Sequence, residues 1–115
     1  MAVAMFMHWS GVDADQYDAV MMRLDLDANP AAGGILHVAA VTDDGLEVCD
    51  VWQTEQAFQS FLEHRFLPVA SELGLEGTPR IELLPLHNLY AADAVMVDRI
   101  GLSSLPALAA GWAPY

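Results

Sequence analysis

Four polar side chains stand inside runs of apolar residues that read as strands: His8, His37, Asp50 and His87. Trp52 follows two residues after Asp50, and His64 sits at the edge of an apolar helical stripe. Such a set can move protons. Histidine titrates near neutral pH and can take a proton from a phenol or an activated carbon. A neighbouring aspartate can orient the imidazole and raise its basicity. Each residue alone has a plainer reading: a rim histidine with one hydrogen bond, a packing tryptophan, a solvent-facing aspartate. Together they exceed what packing needs, and an apolar pocket with a few polar groups is the usual form of a small-molecule site. The expected acid–base residues are His37, His87 and Asp50, and the expected pocket residues are Trp52, Phe61, His64, His8 and Phe6.

The elements that must position them can be read in order. Residues 2–9 form an apolar run with the character of a strand. Asp13 and Gln16 have the spacing of a capping box, and Tyr17, Val20, Met21 and Leu24 follow at helical spacing. Asn29-Pro30 and Gly33-Gly34 end that helix. Strands are expected over 34–42 and 46–53, joined by a hairpin at Asp43-Asp44-Gly45. A two-residue turn at Asp44-Gly45 pairs His37 with Trp52 and puts His37, Asp50 and Trp52 on one face, whereas a one-residue slip would separate them. Thr54 caps a second helix with Phe58, Phe61, Leu62, Val69 and Leu73 as its buried stripe, and Pro68 should kink or split it. A fourth strand is expected over 80–90, carrying His87 in phase with Ile81 and Leu83. A short helix is expected from Asp93 to Ile100, before a tail rich in Gly, Pro, Ser and Ala.

This β-α-β-β-α-β order predicts an α+β, ferredoxin-like sandwich with both helices on one face of an antiparallel sheet. The other face of such a sheet normally alternates polar residues into water. Here Ala4 and Phe6 oppose Val3, Met5 and Met7, and Ile35, Ala39 and Val41 oppose Leu36, Val38 and Ala40. Both faces are apolar, and at roughly 25 cal/mol per Å² a bare sheet face is a severe liability. A homodimer packed sheet against sheet is the simplest cover.

Composition narrows the partners. The chain has 115 residues, enough for one core, with 55% apolar and only 17% charged residues. Four arginines, no lysine and sixteen acids give a net charge of −12. Nucleic acid and anionic membrane surfaces are poor partners for such a chain, because both are bound through basic groups. The lone Cys49 allows no internal disulfide and fits a reducing, cytoplasmic location; within an apolar strand it reads as a small core residue. Residues 1–12 lack a basic flank and do not read as a signal peptide. The uncharged stretch 100–115 is shorter than a membrane span of roughly 20 residues.

The segments ILHVAAVTDDG (35–45), DVWQTEQAFQSFLEHRFLP (50–68) and PLHNLY (85–90), with the order of elements, resemble the dimeric α+β barrel superfamily, in particular antibiotic-biosynthesis-monooxygenase-like domains. The resemblance covers residues 1–90 and leaves 91–115 as a C-terminal extension that could pack on the partner subunit. It implies cofactor-independent oxidation, cyclisation or isomerisation of an aromatic or polyketide-like, small hydrophobic metabolite. It also opens a haem-binding reading, with His64 as axial ligand near Trp52, although His8 stands where those relatives carry asparagine. A non-catalytic ligand-binding or structural dimer accounts for the composition equally well. Metal hydrolase and nucleophile motifs are absent from the sequence.

Overall fold

Strand β1 (Val3–Ser10) forms the sheet's inner seam. It is followed by helix α1 (Ala14–Leu24), strands β2 (Gly34–Thr42) and β3 (Gly45–Trp52), and helix α2 (Glu55–Phe61). A π-helical turn (Leu62–Phe66) leads into α3 (Leu67–Glu72), then β4 (Arg80–Pro85) and α4 (Ala94–Ile100). The structure, a computed structural model, describes residues 1–101. The tail reading beyond Gly101, including its packing on a partner, lies outside the described residues. The sheet order is β2-β3-β1-β4 with every neighbouring pair antiparallel, which is the expected α+β, ferredoxin-like arrangement.

Strand alternation decides which side chains meet the helices. Val3, Met5, Met7 and Trp9 of β1 and Leu46, Val48, Asp50 and Trp52 of β3 are all buried on the helix side. Against them lies the stripe of α1, Tyr17, Val20, Met21 and Leu24. The start of α1 is fixed by the expected capping box: Asp13 Oδ1 accepts from the Gln16 amide at 2.8 Å, and Gln16 Oε1 accepts from the Asp13 amide at 3.0 Å. Thr54 caps α2 by accepting from the Ala57 amide at 3.0 Å. On the opposite face of the sheet Phe6, Val38 and Leu84 remain 43, 53 and 44% exposed. Among the described residues nothing covers them.

Three elements depart from the sequence reading. The hairpin turns at Asp43-Asp44, so Thr42 pairs with Gly45 and His37 with Asp50 rather than with Trp52. The shift is two residues, and because side chains alternate with period two the face is unchanged. Gly45 has to start β3, because its φ is +141° and a Cβ there would lie 2.3 Å from the Trp9 carbonyl oxygen. Strand β4 stops at Pro85, not at Tyr90, since its partner β1 begins at Val3, opposite Pro85. The second helix is indeed broken near Pro68, but by a π-helical turn that precedes the proline. Proline offers no amide hydrogen to the preceding turn, and widening that turn removes the clash with its ring. Leu73, expected in the buried stripe, lies past the end of α3 and is exposed.

The π turn carries Arg65, which ties the helical layer to the loop after α1. Its guanidinium donates to the carbonyls of Leu24 (3.2 Å), Asn29 (2.8 Å) and Pro30 (3.1 Å), and it lies over the Phe61 ring at 5.4 Å. The last turn of α1 ends at Asp25 with φ +50°, an uncommon conformation for a side chain other than glycine. Arg65 holds that exit in place. Arg65→Ala should cost about 2 kcal/mol in urea unfolding, since hydrogen bonds from a charged donor are the stronger kind. Arg65→Lys should restore less than half of the loss, because an ammonium lacks the planar fork. Equal stability of the alanine variant and wild type would count against this role.

Candidate active site

A cavity of about 250 Å³ opens between the sheet and the helical layer. Met5 and Val48 form its floor, Met21 and Leu24 one side, and Trp52 and Phe61 the other. Leu26, Pro30 and Ala31, in the loop held by Arg65, border it. The Trp52 ring meets Phe58 edge-on with centroids 5.8 Å apart and is tilted against Phe61 at 5.3 Å, so this wall is rigid and aromatic.

Three polar side chains interrupt the apolar lining: Tyr17, His37 and Asp50. They form one hydrogen-bonded chain with Trp52. Trp52 Nε1–H donates to Asp50 Oδ2 at 3.0 Å. His37 and Asp50 are direct cross-strand partners, and His37 Nδ1 lies 2.6 Å from Asp50 Oδ1. His37 Nε2 lies 2.6 Å from the Tyr17 hydroxyl. An ionised carboxylate only accepts, so Nδ1 carries the imidazole proton. In the neutral ring Nε2 is then the acceptor, and the Tyr17 O–H donates to it. Asp50 is buried and His37 is about a third exposed, with 37% of its side chain accessible at the edge strand.

Burial lifts the Tyr17 phenol well above its ordinary value, and the negative charges of Asp50 and Asp18 push it the same way. The phenol therefore stays neutral and remains a donor. Cys49 points to the other face of the sheet; burial, with a contribution from Asp50, raises its thiol too. That suits a packing residue rather than a nucleophile.

Of the expected site residues, His37, Asp50, Trp52 and Phe61 are brought together around the cavity. The others lie elsewhere. His8 and Phe6 alternate with the buried residues of β1 and so face the opposite side, where His8 contacts Glu47 at 2.5 Å and Ser10 at 3.1 Å. His87 follows the end of β4 and is exposed. His64 is exposed on the π turn with Nδ1 donating to the Ser60 carbonyl at 3.0 Å. It does not line the cavity, so the His64–Trp52 pairing of the haem reading is not formed. Tyr17 is the polar cavity residue that the sequence does not single out, since it falls within the buried stripe of α1. Its position as the most polar member of that stripe was the available signal.

No family model matches the sequence, and no curated protein matches it. Solved structures do match. SnoaB, a cofactor-independent oxygenase from Streptomyces nogalater, is 20% identical with a TM-score of 0.54, over 76% of this chain and 94% of that one. The ActVA-Orf6 monooxygenase of Streptomyces coelicolor, solved with nanaomycin D, is 18% identical with a TM-score of 0.52, over 80% and 92%. A protein of unknown function from Nitrosomonas europaea is 21% identical with a TM-score of 0.62, over 80% and 95%. The chain thus shares the α+β, ferredoxin-like fold of these proteins and of a protein from Caulobacter crescentus described as a putative antibiotic biosynthesis monooxygenase. No described helix is long and apolar enough to cross a membrane.

The neutral Tyr17 has a measurable consequence. A phenol whose ionisation is raised by folding keeps its full contribution to stability below the unfolded value, about pH 10, and loses it as pH rises further. Wild type should therefore lose stability above about pH 10 through this group, and Tyr17→Phe should lack that component. In an ultraviolet titration, one of the three tyrosines should ionise later than the others in wild type only. Simultaneous ionisation of all three would contradict the burial of this hydroxyl.

Proposed function

We propose that the chain is a small-molecule enzyme that uses His37, oriented by Asp50, for acid–base chemistry on an aromatic or polyketide-like metabolite. The observation that carries this reading is the Tyr17–His37–Asp50–Trp52 chain set into the wall of an otherwise apolar cavity. Removing a proton from a phenol or enol leaves an electron-rich anion, and the imidazolium formed on His37 is stabilised by Asp50. The anion can then react with oxygen, cyclise or be reprotonated at another atom. Oxygenation is the outcome favoured by the shared fold with SnoaB and ActVA-Orf6. The cavity lies slightly below the roughly 300–1,000 Å³ of most ligand sites, which favours a compact, planar substrate.

A hydroxyanthrone in air, followed with an oxygen electrode, is a suitable first assay. Wild type should consume oxygen above the uncatalysed rate, and His37→Ala should lower that rate by about 10²–10⁴-fold with an unchanged circular dichroism spectrum. A folded His37→Ala variant as active as wild type would remove His37 from the chemistry. Equal, background rates for both would favour a binding module.

The working unit is then a cytoplasmic homodimer, with residues 1–90 as the barrel domain. The exposed apolar face at Phe6, Val38 and Leu84 supports it. Wild type should sediment as a dimer at micromolar concentration, and a Phe6→Asp, Val38→Asp double variant as a monomer. A monomeric wild type would overturn this assembly.

A further inference from the structure

We infer that Tyr17, rather than His37, is the group that meets the ligand, and that it selects uncharged ligands bearing an O–H or N–H donor. This rests on the acid–base reading of the cavity. Both ring nitrogens of His37 are already committed: Nδ1–H donates to Asp50, and Nε2 accepts from Tyr17. Neutral His37 has no lone pair left for a ligand. Each link in the chain donates toward the carboxylate, so the free end is the Tyr17 oxygen. With its hydrogen turned to His37, that oxygen can only accept. Tyr17 borders the cavity, so a ligand inside it is the available donor.

Proton transfer follows the same direction. The ligand's O–H bond breaks as a bond forms to the Tyr17 oxygen, while the original Tyr17 proton passes to His37 Nε2. The products are a ligand anion, a neutral tyrosine and an imidazolium beside Asp50. Imidazolium Nε2–H then donates to Tyr17, whose own O–H is freed to donate to the ligand anion. The pair thus presents an acceptor to the substrate and a donor to the ion it makes. Burial makes Tyr17 hard to ionise, which keeps the phenol itself from holding the negative charge.

The lining also discriminates by charge. Among the described residues no lysine or arginine borders the cavity, and Arg65 is occupied by three carbonyls. A ligand carboxylate would be desolvated without a cation and would face the negative charge of Asp50.

Calorimetric titration with three matched probes tests this: 1-naphthol, 1-methoxynaphthalene and 1-naphthoate at neutral pH. Wild type should bind naphthol about fivefold more tightly than the ether, the effect of one hydrogen bond, and naphthoate more than about tenfold more weakly than naphthol. In Tyr17→Phe the preference for naphthol over the ether should vanish while the affinity for the ether is kept. Equal binding of naphthol and ether by wild type, or a preference that survives in Tyr17→Phe, would overturn the role of Tyr17. Tight binding of naphthoate would overturn the charge selection. Either result would leave the cavity a ligand site, whereas binding of none of the three would refute the cavity reading and this inference together.

Discussion

A carboxylate buried in an apolar sheet has to be fully hydrogen-bonded, and most of the site follows from how Asp50 meets that demand. Its two oxygens accept one hydrogen bond each, from Trp52 on the same strand and from His37 on the next. These bonds fix the indole against Phe58 and Phe61 and fix the imidazole by its Nδ1 edge. The remaining ring nitrogen then has one orientation, toward the helix that carries Tyr17. Removing the carboxylate would leave the buried Trp52 indole N–H without a partner and release the His37 ring, so its value is in geometry as well as charge.

The rest of the fold delivers these groups to one place. Strand pairing sets His37 opposite Asp50, and alternation keeps both on the helix side. The capping box of α1 starts the helix one residue after Asp13, which brings Tyr17 over the sheet. Arg65, in the turn widened ahead of Pro68, ties the exit of α1 to the second helix and shapes the cavity's border. At the buried end of the chain, where Trp52 meets Asp50, there is little competing solvent, which strengthens that hydrogen bond.

Much of this was legible in the amino-acid order. Hydrophobic alternation and turn residues were sufficient for the element order, and the helix cap at Asp13 and Gln16 was readable from spacing alone. The shared face of His37, Asp50 and Trp52 survived a misplaced hairpin, because a two-residue slip preserves the face. What was hidden depended on contacts distant in sequence. His87 looked like a strand residue because 80–90 is apolar, but strand length is set by the partner, and β1 begins at Val3, opposite Pro85. His8 and Phe6 were assigned to the pocket without a signal for which side of β1 the helices cover. Tyr17 looked like a core residue because its stripe is apolar; only the packing of α1 on β2 shows that its hydroxyl reaches His37.

The state of the His37 ring is the point on which the site's chemistry turns, and nitrogen-15 NMR of the imidazole reads it directly. At about pH 8, above the ordinary imidazole titration, wild type should show a protonated Nδ1 and an unprotonated, hydrogen-bonded Nε2. In Asp50→Asn that preference should be lost. A wild-type ring with its proton on Nε2 would contradict the one-way chain from Tyr17 to Asp50.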